Sequence, residues 1–141
     1  DFQNDGEYIG GCIAGGRNYF HINSAGDIEP CVFIHYSDSN IHKDTIMEAL
    51  KKPLFMAYHH NQPFNSNHLK PCPMLENPGR LSEMVNESGA HSTDMISPES
   101  AEHLEKSVNH MLSSGMQLLK SFGVIVNIIR ECINIFHIKY T

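Results

Sequence analysis

Three cysteines stand where glycine or proline conditions the backbone. Cys12 sits inside Gly10-Gly11-Cys12-Ile13-Ala14-Gly15-Gly16, Cys31 directly follows Pro30, and Cys72 lies between Pro71 and Pro73. Thiols brought together by folding can form a disulfide, hold a metal ion or anchor an iron–sulfur cluster. The chain carries no signal-peptide pattern, and a cytosolic setting keeps thiols reduced, which weakens the disulfide. The spacings are long, unlike the tight C-x₂-C pairs of zinc ribbons, so the fold would have to assemble the site. Thiolate ligands suit zinc and iron–sulfur equally, and spacing alone leaves both open. The glycines around Cys12 let the backbone take positive φ and turn N–H groups toward its sulfur, and such hydrogen bonds tune cluster potentials. The prolines around Cys72 stiffen a segment without regular structure, which suits ligation better than core filling.

Other side chains have plainer readings. His35 and the pair His59–His60 are candidate fourth ligands, although a histidine is more often solvated or hydrogen-bonded. Asp27, Glu29 and Glu76 read as turn or surface carboxylates, although Glu76 lies close enough to Cys72 to support a ligand from behind. Arg17 is either a strand-edge charge or a partner for an anionic group. Tyr19, Phe20, Phe33 and Phe55 read as core. A thiol nucleophile, Cys12 or Cys72 with a histidine, is a weaker reading, because ten histidines make chance pairs easy to draw.

The elements that must position these residues are short. Arg17–Asn23 and Asp27–His35 alternate as two strands, joined by the turn Asn23-Ser24-Ala25-Gly26-Asp27 with Gly26 suited to a left-handed position. In the second strand Ile28, Val32 and Ile34 share one face, and Glu29, Cys31, Phe33 and His35 share the other. Pro30 removes a donor and makes this an edge strand or interrupts it. Ile46, Met47, Ala49 and Leu50 form the apolar side of a helix over Asp44–Lys51, ended by Pro53, with a further turn or two over Leu54–His59. Asn77 and Pro78 open a helix that Gly89 stops, with Leu81, Met84 and Val85 facing inward. Ser97 and Pro98 open another, whose face of Leu104, Val108, Met111 and Leu112 runs to Gly115. Met116–Lys139 keeps helical spacing with enough β-branched residues for a strand to compete, and Cys132 on its apolar stripe reads as a buried core thiol.

Composition bounds the rest. A chain of 141 residues, 40 % hydrophobic and 18 % charged, supports a core but not a catalytic barrel. The net charge of −6 and the lack of a basic run disfavour nucleic acid, and Lys120, Arg130 and Glu131 interrupt the greasiest stretch too often for a membrane span. The fold class expected is α+β: a cysteine-bearing β-hairpin followed by several short helices.

The order of these features resembles a known family. Cys12, 13 residues, Gly26, four residues and Cys31, followed by Asn40-Ile41-His42-Lys43-Asp44-Thr45-Ile46-Met47-Glu48-Ala49-Leu50-Lys51-Lys52-Pro53-Leu54-Phe55, is similar to the C-terminal SPASM or twitch extension of radical SAM enzymes. In that family a hairpin carries the first two cluster cysteines, a short helix follows, and later cysteines complete one or two auxiliary [4Fe-4S] clusters. The resemblance runs from about Asp1 to Leu112. It implies that Cys12 and Cys31 are the first ligand pair and Cys72 a later one. With three thiolates, it implies a single cluster whose remaining iron takes a non-cysteine ligand, solvent or substrate.

It further implies three parts: residues 1–10 leaving a partial TIM-type barrel, 11–95 as the auxiliary-cluster domain, and 96–141 as a C-terminal helical segment. The C-x₃-C-x₂-C motif that binds S-adenosylmethionine and the catalytic cluster does not occur in this chain. The chain then reads as the C-terminal part of a longer cytoplasmic enzyme, with the barrel in cis, an unidentified substrate, and no catalytic competence of its own. A structural Cys₃His zinc module serving as an interaction surface is the alternative.

Overall fold

The computed structural model describes residues 10–116. The chain divides into two compact units, Asp1–Val108 and Asn109–Thr141. The expectations for Asp1–Glu7, for the segment beyond Met116 and for Cys132 lie outside the described residues. The architecture is α+β, with two small antiparallel sheets and four helices among the described residues.

The first sheet is a hairpin of β1 (His21–Ile22) and β2 (Ile28–Glu29), in the register His21↔Glu29 and Ile22↔Ile28. Its turn forms as its residue types predict. Asn23 Oδ1 accepts the N–H groups of Ala25 and Asp27, both at 3.0 Å, and Gly26 takes φ +87°. Asparagine mimics a backbone turn with its side chain, and glycine accepts the left-handed conformation without a Cβ clash.

The strands themselves are much shorter than their alternation suggests. Pro30 cannot donate to a ladder, and directly after it Cys31–Ile34 closes a tight turn through Ile34 N–H to Cys31 O at 3.0 Å. The expected strand Asp27–His35 is therefore broken, and its two faces are lost beyond Pro30. Val32 and Phe33 stand at the tip of the turn and are exposed, while Ile34 returns to the core. After the break, β3 (Tyr36–Ser37) pairs with β4 (His91–Ser92) instead of extending the hairpin.

Helix α1 (Ile46–Ala49) is shorter than expected and opens on a reciprocal cap between Thr45 and Glu48. Its apolar side is only half used: Ala49 is buried, whereas Ile46 and Met47 are exposed. Pro53 does not only stop α1; it is the first residue of α2 (Pro53–His60), whose Leu54, Phe55 and Tyr58 are buried. Helix α3 (Pro78–Ser88) starts at Pro78 and ends at left-handed Gly89, φ +67°, with Leu81, Met84 and Val85 inward as expected.

A fourth helix, α4, begins at 101, three residues after Pro98, and is helical to 116. Asp94 Oδ1 instead holds the N–H groups of Ile96 and Ser97 in a turn before it. Gly115 does not end α4, because glycine weakens a helix without forbidding its φ and ψ. Val108 is buried on this helix, and Met111 and Leu112, expected on the same inward face, are exposed.

The larger core cluster joins Ala14, Cys31, Ile34, Leu54, Tyr58, Phe64 and Leu81, with Cys12 and Met74 packed against it. Tyr58 meets Phe64 edge to face at a ring separation of 4.9 Å. The smaller cluster holds Ile28, Ala49 and Phe55, which Phe20 meets edge-on at 6.3 Å.

Candidate metal centre

Cys12 lies in the glycine-rich loop, and four glycines there, Gly10, Gly11, Gly15 and Gly16, have positive φ. The most constrained is Gly15: a Cβ there would stand 2.2 Å from the Tyr58 ring. Gly15 N–H donates to Pro30 O at 2.9 Å, which fastens the Cys12 loop beside the Cys31 turn. Tyr58, fully buried on α2, brings its hydroxyl to 3.8 Å from Cys12 Sγ. The Ala14 backbone N–H is hydrogen-bonded to the same sulfur. This is the arrangement expected of the loop.

Cys31 is 8 % exposed, and the Tyr19 hydroxyl lies 3.1 Å from its Sγ. Cys72 receives the N–H of Leu75 at 3.4 Å, and the Met74 N–H also bonds its sulfur. Glu76 supports this loop as expected, but through the backbone: its Oε2 accepts Cys72 N–H at 2.9 Å. Asn77 does not cap α3 with its side chain. Its amide instead donates to Lys70 O at 2.9 Å and Cys72 O at 3.1 Å, so a residue chosen by its position before Pro78 serves the Cys72 loop.

Cys12, from a segment far from the other two in sequence, is close enough to Cys31 and to Cys72 for their charges to be felt. Burial pushes the Cys12 thiol up from its ordinary value, and Cys31 adds to the rise. Burial likewise pushes Cys72 up, with a further contribution from Cys12. The Tyr58 and Tyr19 hydroxyls are both raised, chiefly by burial, and each feels all three cysteines. Cys12, Cys31 and Cys72 are all free thiols, so no disulfide joins them. Among the described residues, no three His, Cys, Asp or Glu side chains already stand at the spacing of a single metal ion.

The histidine candidates are placed elsewhere. The Nδ1 of His35 lies 3.6 Å from Glu29 Oε1, and the exposed rings of His59 and His60 lie edge to face at 5.7 Å. Arg17 donates to Gln62 Oε1 at 2.8 Å and to Cys12 O at 3.4 Å, bracing the loop. Tyr19 and Phe33, expected in the core, are exposed, whereas Phe55 is buried as expected.

Two features escaped the sequence reading. One is the pair of tyrosine hydroxyls against the thiols; the signal was Tyr58 on an apolar helical stripe, since a buried tyrosine needs a partner for its O–H. The other is Glu29, taken for a surface carboxylate but fully buried. No helix among the described residues is long and apolar enough to cross a membrane. Comparison with protein-family models, curated proteins and solved structures finds no match to this chain.

Proposed function

We propose that Cys12, Cys31 and Cys72 hold one auxiliary [4Fe-4S] cluster, and that the chain is the C-terminal extension of a cytoplasmic radical SAM enzyme. The observation that carries this reading is that Cys12 is within electrostatic reach of Cys31 and Cys72, from distant segments, with Cys12 and Cys72 receiving peptide N–H bonds at sulfur. That donor set fits the group. Thiolates are its usual ligands, and hydrogen bonds to their sulfurs and partial burial adjust its potential.

The chain's own residues supply the seat. The Gly15–Pro30 bond and Tyr58 set Cys12 against Cys31, while Glu76 and Asn77 hold the Cys72 loop. When bound, the cluster would relay electrons or contact the substrate. The barrel that binds S-adenosylmethionine would lie in cis, so this chain alone would not cleave it. Its partners would be that barrel and an unidentified substrate, and neither nucleic acid nor membrane.

A structural Cys₃His zinc module uses the same thiols and additionally needs an imidazole. His35 turns toward Glu29, which favours the cluster reading. Anaerobic reconstitution followed by iron and sulfide analysis separates the two. Near-equal iron and sulfide with the brown absorption of a cluster is the expected result. Stoichiometric zinc with no sulfide uptake would sink it.

A further inference from the structure

Two tyrosine hydroxyls from different elements approach the cysteine sulfurs. Tyr19, two residues before β1, lies 3.1 Å from Cys31 Sγ, and Tyr58 on α2 lies 3.8 Å from Cys12 Sγ. Their surroundings differ. Tyr19 is 37 % exposed, whereas Tyr58 is fully buried, its ring packed against Gly15 and edge to face with Phe64. Burial first, and then the cysteines, push both hydroxyls above the ordinary phenol value, so each keeps its proton beside a charged sulfur. A thiol can donate or accept, but a thiolate only accepts. Once Cys12 and Cys31 act as ligands, the two hydroxyls can therefore only be donors.

That direction has an electrical consequence. An electron added to a thiolate-bound cluster increases the negative charge on its sulfurs. A hydrogen bond strengthens as its acceptor gains charge, so a donor at sulfur favours the reduced state and raises the potential. Cys72 has a different set of donors, because its sulfur takes the N–H groups of Leu75 and Met74 and no printed tyrosine bond. The hydroxyls differ from those peptide donors in one useful respect. A change of Tyr to Phe deletes the donor and leaves the ring and the backbone in place.

We infer that Tyr19 and Tyr58 donate to the ligating sulfurs of Cys31 and Cys12 and raise the reduction potential of the centre, Tyr19 more strongly because it is closer. The inference rests on the cluster reading above. No bond forms or breaks in the step: one electron enters from an external reductant, and both hydroxyl protons stay on oxygen. Each tyrosine acts through a cysteine and does not touch iron.

The test is a dithionite redox titration of the reconstituted full chain, followed by EPR, on wild type and on Tyr19→Phe, Tyr58→Phe and Tyr36→Phe. The Tyr36 hydroxyl donates to Glu99 O and not to sulfur, so that variant controls for loss of a tyrosine hydroxyl as such. At fixed potential, Tyr19→Phe should lower the ratio of reduced to oxidised cluster about tenfold, a fall of about 59 mV in midpoint. Tyr58→Phe should lower it about threefold, and Tyr36→Phe should leave it unchanged. Pulsed EPR of the reduced cluster in D₂O should lose one exchangeable deuteron coupling in Tyr19→Phe, a signature that a packing role would not move. An unchanged midpoint in Tyr19→Phe, an equal shift in Tyr36→Phe, or full retention of the deuteron couplings would each overturn the inference while the cluster reading stands. A wild-type chain that takes up no sulfide would overturn the cluster reading and this inference with it. Iron and sulfide content, read before the potential, tells the two failures apart.

Discussion

Cys31 and Glu29 are two residues apart, yet they belong to regions that solve burial in opposite ways. Around Glu29, a charge is enclosed and every contact answers it: Thr93, Asn23 and His21 bond its two oxygens. Around the cysteines the hydroxyls of Tyr19 and Tyr58 lean on two of the sulfurs, Arg17 and Glu76 brace the loops through the backbone, and burial pushes the thiols of Cys12 and Cys72 up. The first region is complete without any addition. The second is electrostatically unfinished, because its thiols would ionise readily only if a positive charge arrived to replace their protons. That contrast separates a sealed carboxylate from the seat proposed for the cluster.

Breaking each region should give different symptoms. The largest effect expected is on cofactor uptake: Cys12→Ser, Cys31→Ser or Cys72→Ser each removes a proposed ligand, and reconstituted iron and sulfide should fall to background. Wild-type loading in all three would erase the distinction between the regions. Next comes Glu29→Leu, which leaves the buried Thr93 hydroxyl without its carboxylate partner and removes the bonds to Asn23 and His21. Its cost should be about 3 kcal/mol in urea unfolding, with thiol reactivity per folded molecule unchanged. Gly15→Ala combines a strained positive φ with a Cβ directed into the Tyr58 ring, and should cost about 2 kcal/mol while exposing Cys12 to alkylation.

The pH response sharpens the same comparison. Folded Cys12 and Cys72 are raised above 9.0, so above that pH unfolded thiols lose protons that the folded ones retain. Stability of the metal-free chain should be intact below pH 9 and then fall by up to about 1.4 kcal/mol per pH unit for each thiol until the folded group titrates. Thermal melts between pH 8 and pH 10 read this slope, and Cys12→Ser with Cys72→Ser should flatten it there, the raised Tyr19 and Tyr58 hydroxyls adding their own fall above pH 10. The smallest effect is that of Tyr58→Phe. It removes a hydrogen bond that lowers the Cys12 pKa, so Cys12 should alkylate more slowly, at a stability cost of about 1 kcal/mol.

Local chemistry was legible where a few neighbouring residues settle a conformation. The turn at Asn23–Asp27 with Gly26, the Pro78 start and the Gly89 stop of α3 all follow from side chains and φ preferences acting within five residues. Strand length was not. Alternation over Asp27–His35 says which residues would share a face if a partner strand lay alongside, and after Pro30 the chain turns instead of finding one. Glu29 was misread for a related reason, since its partner Thr93 lies 64 residues away.

By itself the sequence determined the α+β class, the turns and caps, and the three cysteines in conditioned loops. Only the tertiary structure decided that these thiols share a neighbourhood, that tyrosine hydroxyls adjoin two of them, and that Glu29 is enclosed beside a cavity. The reason is physical. Turns and caps depend on short-range sterics and hydrogen bonds, whereas proximity and burial depend on which distant segments pack together. The bond from Gly15 to Pro30 and the position of Tyr58 on α2 set that packing, and no periodicity in the chain encodes it.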